Sequence, residues 1–450
     1  MEASIRKPPL FTGKYLFYLI VPLMIEQVLA VTIGFADTIM VARVGESAVS
    51  AVALVDSVNI LIIQIFAALA TGGAVICSQY LGRKDFDSAQ TAARQLILIT
   101  GVAGIVLMVL LLPLHRLILN FLFGHVEEAV MIQARQYFVL SLLSYPFLGL
   151  YNSGAALFRS MGNSRISMQT ALLMNIINIG GNAILIFKFE MGVVGAGTAS
   201  LVSRAVSAIV ILSLLFFKPY DLQIRRLFAG GFRPQMIRRI LGVGIPAGVE
   251  GGLFQAGKLT VQRFVTLFGT AAIAANAVAN TMATIANIPG MAISLAMITV
   301  VGQCMGAEEH DQAQRYALRL LGIVALLNGL ICLCLFFSAE SLAAVFHLRN
   351  EASDLAVSLL RVFALFSIVF WPPAFSLPNA LRAAGDVKLT MTTSIVSMFL
   401  FRIGLCFFFY KYTDFGVAGI WYAMYVDWIC RSIVFVWRFF SGKWKSIKIV

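Results

Sequence analysis

Long apolar segments follow one another along almost the whole sequence, and each is long enough to cross a lipid bilayer. A helix needs about 20 residues to span a hydrocarbon layer of about 30 Å, and it satisfies its own backbone hydrogen bonds there. Only 12% of the 450 residues are charged, compared with about a quarter in soluble domains. The sequence therefore predicts an all-α integral membrane protein with twelve transmembrane helices. They are placed near residues 15–41, 48–78, 90–113, 131–157, 166–187, 192–217, 239–267, 271–303, 315–337, 354–380, 389–410 and 416–440.

The second half of the sequence repeats the first at an offset of 224 residues. The matches are Pro22, Glu26, Gly45 and Ala48 with Pro246, Glu250, Gly269 and Ala272, QYLGRKDFDSAQ from Gln79 with QCMGAEEHDQAQ from Gln303, and GVVGAGTA from Gly192 with GVAGIWYA from Gly416. Each copy holds six predicted spans, an even number, so the copies enter the membrane in the same orientation and form parallel repeats. We predict an N-terminal lobe at 1–217, a cytoplasmic linker at 218–238 and a C-terminal lobe at 239–450.

The basic residues predict the orientation of the chain. Most of the 34 Lys and Arg residues fall in loops on the side of the N-terminus, and cytoplasmic loops retain positive charge. Both termini are therefore expected in the cytoplasm, and the short loops favour a multi-pass protein of the bacterial plasma (inner) membrane. Loops that face anionic lipid account for the net charge of +13, so no nucleic-acid partner is expected.

The reactive residue types do not form a recognisable catalytic or metal-binding pattern. The six cysteines lie in or at the ends of apolar segments, and the four histidines are scattered among loops. No nucleotide-binding loop is found, so transport would draw its energy from an ion gradient. We expect no enzyme activity, no cofactor and no metal centre.

Ionisable residues inside spans are functional candidates, because each costs about 2.5–3.5 kcal/mol at the bilayer centre. They are Glu26, Asp37, Asp56, Arg204, Glu250, Lys258, Arg263, Arg402, Asp427 and Arg431. Glu26 and Asp37 are eleven residues apart on the first span and so share one helical face. Asp37 is expected to bind the coupling ion; the alternative is a hydrated structural residue at the helix end.

Glu26 and its repeat partner Glu250 each follow a proline by four residues. Two interpretations stay open. In the first, the two glutamates line a substrate cavity together with Gln255 and Lys258. In the second, each glutamate braces its helix at the proline, because a proline leaves a backbone carbonyl unpaired.

Three asparagines on the fifth span, Asn175, Asn178 and Asn182, are spaced by three and four residues and form one stripe. Their amide oxygens suit a cation or a carboxylic acid. Asparagines also hold membrane helices together without any ligand, and this alternative stays open.

Several ordered motifs together resemble the multidrug and toxic compound extrusion (MATE) family. They are P-x14-DTIMVARVG from Pro22, GG-x5-Q-x2-G from Gly72, LFRSMGNS from Leu157, GIP from Gly244, LFGTAAIAA from Leu267, LRAAGDVK from Leu381 and GIWYAMYVDW from Gly419. The resemblance covers essentially the whole chain. It implies two six-helix lobes that form a V-shaped bundle, and exchange of protons or sodium ions for amphipathic, often cationic, compounds by alternating access.

The resemblance also implies the site residues. In prokaryotic members the coupling ion is bound by an aspartate on the first helix, here Asp37, and by polar residues on the fifth, here Asn178 and Asn182. A sodium ion would bind Asp37 and Asn178. One branch carries an acid at the position of Asn182. Another branch uses acids on the seventh and tenth helices. This chain has Gln255 near the position on the seventh helix and no acid on the tenth before Asp386.

The expected partners are a small amphipathic substrate and membrane lipid, with the protein acting as a monomer. The alternative function is a lipid-linked oligosaccharide flippase of similar architecture. That function requires a basic cluster in the central cavity, and the chain offers mainly Lys258, Arg204 and Arg402 beside several acids. Because Val261 stands where the repeat would place a second Asp37, the ion site is expected in one copy only.

Overall fold

The computed structural model of the chain describes residues 8–224, 227, 231–346, 348 and 350–450, and over these residues the regular structure is entirely helical. We number the helices α1 (Gly13–Ala42), α2 (Glu46–Gly82), α3 (Phe86–Phe123), α4 (Glu128–Ser160), α5 (Ser164–Lys188), α6 (Gly192–Phe217), α7 (Pro234–Thr266), α8 in two pieces (Gly269–Ala286 and Ile288–Gly306), α9 (His310–Val345), α10 (Glu351–Ala383), α11 (Val387–Tyr412) and α12 (Val417–Phe440). Residues 225–226 and 228–230 of the predicted linker lie outside the described residues.

The helices match the predicted all-α membrane fold. Within the described residues, nine helices combine the length and the hydropathy of a membrane span. The other three, α4, α7 and α12, have 33, 33 and 24 residues, which exceeds the about 20 residues that a bilayer requires. One detail differs from the prediction of a continuous eighth span, because α8 is interrupted at Asn287. Pro289 lies in the first turn of its second piece. Backbone N–H groups in a first turn have no partner within the helix, so the N–H that proline lacks costs no hydrogen bond there.

The chain divides into two compact units. The N-terminal unit comprises Ile25–Cys77 and Asp85–Gly252. The C-terminal unit comprises the described residues up to Met24, Ser78–Lys84 and Leu253–Val450. Each unit therefore consists mainly of one half of the sequence. The division into lobes at a linker of residues 218–238 stays a prediction.

Each unit has its own apolar core. In the N-terminal unit, Phe66 of α2 is fully buried against Phe138 and Tyr145 of α4. In the C-terminal unit, Phe363 of α10 contacts Trp421 and Trp428 of α12 edge to face, with ring centres 6.1 and 6.0 Å apart. Such edge-to-face aromatic pairs add to the stabilisation that burial provides. These cores fix the helices that carry the polar residues described below.

A close helix crossing explains why the Gln-x-x-Gly motif occurs twice. A Cβ atom on Gly82 of α2 would lie 2.0 Å from the carbonyl oxygen of Gln303 on α8, and one on Gly306 would lie 1.9 Å from that of Gln79. Both contacts belong to the C-terminal unit. Only glycine permits two backbones to approach this closely, so the repeat retains the same glycine on both sides of one contact.

The turn after each motif also has the same backbone geometry. Lys84 and Glu308 both adopt left-handed conformations, with φ of 60° and 59°. Left-handed φ is uncommon for residues other than glycine. The 224-residue repeat in sequence is therefore a repeat in backbone conformation as well.

Candidate functional site

The side chain of Asp37 on α1 accepts a hydrogen bond from the amide of Asn182 on α5. Both residues belong to the N-terminal unit, and Asn182 is completely buried. Directly after Asn182 the helix widens to a π-helical turn over Ala183–Lys188. Such turns are frequent at functional sites because they shift the register of the side chains that follow. The first predicted ion-site pair is thus in contact.

The polar chain continues from Asn182 to the next helix. The Asn182 amide nitrogen lies 3.4 Å from Oδ1 of Asn178, and the Asn178 amide donates to the Ser200 hydroxyl of α6 over 3.1 Å. This network joins α1, α5 and α6. Within the part of the chain that the structure describes, Oδ1 of Asn182 has no hydrogen-bond partner, so an acceptor oxygen remains free beside Asp37.

Asn175, the third residue of the predicted stripe, has a different role. Its amide donates to the Ala171 carbonyl of its own helix over 3.0 Å. Its Oδ1 is buried and lacks a partner among the described residues. The structure therefore brings Asn178 and Asn182 into one network with Asp37, while the Asn175 amide bonds within its own helix.

A second carboxylate, Asp56 on α2, belongs to the same region. It accepts a hydrogen bond of 3.0 Å from Asn59 one turn later, and Asn59 Oδ1 accepts one of 2.8 Å from the hydroxyl of Tyr145. Asp37 interacts electrostatically with both Asp56 and Arg204. Sequence reasoning marked Asp56 only as a charge within a span and missed Asn59. The signal that points to this pair is its spacing of three residues, which places both side chains on one helical face.

Arg204 is a basic residue of the same region. It lies on α6 and donates a hydrogen bond of 2.6 Å to Ser144 of α4. A site with two carboxylates and one guanidinium carries a net negative charge when all three are ionised. It is therefore suited to a proton or a small cation.

Glu26 has two partners of its own. Its Oε1 forms an ion pair of 2.7 Å with Arg159 of α4, and its Oε2 accepts a hydrogen bond of 2.6 Å from Ser167 of α5. The carboxylate is buried. This arrangement links three helices of the N-terminal unit and favours the bracing interpretation of Glu26. Sequence reasoning missed both partners.

The remaining residues of the predicted substrate cavity fall in different places. Glu250 is half-buried in the N-terminal unit, whereas Gln255 is half-buried and Lys258 exposed in the C-terminal unit. The Lys258 ammonium lies 5.7 Å from the centre of the Phe254 ring. The predicted set is thus divided between the two units.

The C-terminal copy lacks the residues that are predicted to bind the ion in the N-terminal copy. At the 224-residue offset, Arg402 and Cys406 stand at the positions of Asn178 and Asn182. Val261, at the position of Asp37, is buried in the apolar core. Among the described residues, no group of three or more His, Cys, Asp and Glu side chains is arranged to hold a metal ion.

Comparison with known families identifies the fold and its relatives. The profile of the family described as MatE matches residues 22–184 and again residues 246–408. The chain belongs to the MatE family. The two matched stretches start 224 residues apart and end 224 residues apart, so each copy of the repeat is one MatE unit, and the resemblance read from the motifs is confirmed.

Two relatives of this MatE protein are named, one as a multidrug resistance protein and one as a transporter. It is 28% identical to a probable multidrug resistance protein NorM of Thermotoga maritima, over 96% of this chain and 93% of the relative. It is 26% identical to the uncharacterized transporter YisQ of Bacillus subtilis, over 95% of this chain and 94% of the relative.

Solved structures of MatE proteins share the fold. A crystal structure of MATE in a bent conformation superposes with a TM-score of 0.88 at 22% identity, covering 96% of both chains. An outward-facing multidrug resistance MATE family transporter of the MOP superfamily gives 0.89 at 22% identity, again covering 96% of both chains. The chain is thus a multi-pass membrane protein of a transporter family whose members bind small-molecule substrates.

Proposed function

We propose that this MatE protein is a secondary active efflux transporter that exchanges protons or sodium ions for amphipathic, often cationic, compounds by alternating access. The family membership and the relatives named multidrug resistance proteins support transport. The observation that carries the coupling mechanism is the hydrogen bond from Asn182 to Asp37. In this bond a half-buried carboxylate of α1 accepts directly from a side chain of α5.

The charge of Asp37 sets the strength of that contact. An ionised carboxylate accepts a charge-assisted bond from the Asn182 amide. A protonated carboxyl group is instead a donor, and its acceptor is the unpartnered Oδ1 of Asn182. Protonation thus exchanges donor and acceptor between α1 and α5, and the packing of the two helices changes with it.

A sodium ion would act on the same atoms. Hard cations bind carboxylate and amide oxygens, and Asp37, Asn178 and Asn182 offer both kinds of oxygen. Either ion neutralises the carboxylate and favours one packing of α1 against α5. The substrate favours the other packing, and this difference is all that antiport requires thermodynamically.

The test is ion-driven transport by the purified protein in lipid vesicles. A fluorescent lipophilic cation serves as substrate, and a proton gradient and a sodium gradient are imposed separately. We expect at least one gradient to drive transport by the wild type and expect Asp37→Asn to abolish it. Asp414→Asn, the same substitution at an exposed loop position, serves as the control and should leave transport unchanged. Full-rate exchange by the Asp37 variant would show that another residue couples the ion.

A further inference from the structure

Three cationic side chains of the C-terminal unit surround one aromatic ring. The Lys258 ammonium of α7, the Arg402 guanidinium of α11 and the Arg431 guanidinium of α12 lie 5.7, 5.6 and 5.3 Å from the centre of the Phe254 ring. These distances are within the range of cation–π attraction. Three helices thus direct positive charge to one place.

The carboxylate of this cluster does not balance that charge. Asp427 is fully buried, and its Oδ1 accepts hydrogen bonds from Nε of Arg431 over 2.8 Å and from the Ser397 hydroxyl. Arg402 approaches the other oxygen only to 3.8 Å, which is beyond hydrogen-bond distance. The two buried guanidiniums alone exceed the carboxylate by one charge, and the Lys258 ammonium adds a second.

Unused hydrogen-bond capacity accompanies the excess charge. Among the described residues, Nε of Arg402, which is only 7% exposed, has no hydrogen-bond partner, and the same is true of Oδ2 of Asp427. An unpaired buried charge is costly in a protein interior and inside a membrane. Stacking on Phe254 offsets part of this cost but leaves the Nε–H of Arg402 unpaired. An anionic group bound beside Arg402 would supply both the charge and the acceptor.

The surroundings of the cluster are aromatic. Phe375 contacts Phe254 and Trp428 edge to face, with ring centres 6.1 and 5.7 Å apart, and it also contacts the Arg431 guanidinium at 5.6 Å. The indole N–H of Trp428 is buried and has no acceptor in the described chain. Since indole N–H is a donor only, it too is suited to an anionic oxygen. Rings and donors together fit a flat aromatic compound that carries a carboxylate.

The cluster is absent from the other copy of the repeat. Ala30, Gly34, Asn178 and Ser207 stand at the positions that correspond to Phe254, Lys258, Arg402 and Arg431. The N-terminal copy kept a carboxylate and amides, whereas the C-terminal copy holds arginines and aromatic rings. The two copies have therefore diverged in charge as well as in residue type.

We propose that the C-terminal unit binds the anionic group of an amphipathic aromatic carboxylate through Arg402, Lys258 and Arg431, with the aromatic body against Phe254 and Phe375. This inference rests on the proposed transport function and specifies its substrates. It extends them from cationic compounds to compounds that carry a carboxylate, including zwitterions.

Binding of radiolabelled 1-naphthoate to the purified full chain, with no ion gradient, tests the site. Unlabelled 1-naphthoate should displace the probe, whereas its methyl ester and 1-naphthylmethylamine should not. Lys258→Gln and Arg402→Gln should each weaken binding about tenfold, the effect expected for the loss of one charge-assisted contact. Lys258→Arg should retain it. Lys411→Gln is the matched control, because Lys411 lies over Phe407 and Tyr412 rather than in the cluster.

Several outcomes would overturn the assignment. The first is no saturable binding of 1-naphthoate, and the second is equal displacement by its methyl ester. The third is unchanged affinity in a Lys258→Gln protein that unfolds at the wild-type temperature. Displacement by inorganic pyrophosphate at lower concentration than by 1-naphthoate would instead indicate a diphosphate ligand, such as that of a lipid-linked oligosaccharide. Because binding is measured without a gradient, its failure leaves ion-driven transport of the lipophilic cation standing, and the reverse also holds.

Discussion

Glu26 and Arg159 form a 2.7 Å ion pair between α1 and α4 in the N-terminal unit. The side chains are only 9% and 15% exposed, so water screens the pair weakly. Breaking a buried pair by removal of one partner leaves an uncompensated charge. The free energy of unfolding therefore distinguishes a bracing role for Glu26 from a role in substrate binding, because only a bracing role makes Glu26 necessary for stability.

We expect Glu26→Gln to lower the stability of the protein by about 3 kcal/mol, the cost of an unpaired buried charge. Thermal unfolding in detergent, followed by tryptophan fluorescence, measures this. The control is Glu340→Gln, which removes an ion pair of nearly the same length, 2.8 Å, whose partners are 74% and 40% exposed. An exposed pair contributes about 0–1 kcal/mol. Equal unfolding temperatures for the two variants would contradict the bracing role.

Asn182→Asp should strengthen sodium binding at the proposed ion site. A second carboxylate beside Asp37 adds a charged oxygen ligand, and cation affinity rises with the number of charged ligands. We expect the sodium concentration for half-maximal transport to fall about tenfold. Asn175→Asp adds the same charge to the same helix, but the Asn175 amide bonds to its own backbone, so a smaller effect is expected. A similar gain in both variants would show that general charge, rather than contact with Asp37, controls the affinity.

Gly82→Ala and Gly306→Ala should each destabilise the protein, because the added methyl group meets a backbone carbonyl oxygen at 2.0 or 1.9 Å. Overpacking costs about 1–3 kcal/mol, and here a helix backbone rather than a side chain would have to move. Gly322→Ala is the control, since a Cβ there meets no atom within 4 Å. In that variant the better helix propensity of alanine should leave stability equal or slightly higher. Unfolding temperatures compare the three, and an unaffected Gly82 variant would refute the close crossing.

Asp427→Asn should destabilise the C-terminal unit more than Asp311→Asn does. Asp427 is fully buried between two guanidiniums, whereas the Asp311 partner of Lys445 is 82% exposed. Loss of the buried carboxylate costs about 3–5 kcal/mol. The proposed anion site adds a second expectation: 1-naphthoate should raise the unfolding temperature of Asp427→Asn more than that of the wild type, because the ligand supplies the missing negative charge. An equal rise in both proteins would argue against that compensation.

The fold follows from sequence features that act locally or repeat. Span length and hydropathy predicted the helices, and the repeated motif predicted the two copies. The break at Asn287 was not predicted as an end of a helix, since a proline within a span is equally consistent with a bend. Whether the helix bends or ends is decided by packing around it, which apolar composition does not encode.

The site was predictable only where a family resemblance supplied the pairing. Asp37 and Asn182 are 145 residues apart, and nothing in the periodicity of either helix indicates that they meet. The partner of Glu26, Arg159, lies at the end of a different helix, and no periodicity in the sequence connects the two residues. The meeting of Lys258, Arg402 and Arg431 at Phe254 depends on the packing of three helices, so the sequence could mark the charges but could not place them together.

The crossing of Gly82 and Gly306 has a historical consequence. Each glycine contacts the segment that precedes its own counterpart, so a single ancestral sequence contained both surfaces of the contact. A six-helix ancestor that paired with a second copy of itself would already have made this crossing twice over, before any fusion of the two genes. After fusion, neither glycine could be replaced without a change in the backbone of the other copy. The contact thus has, within one chain, the self-complementary form of an interface between two identical subunits.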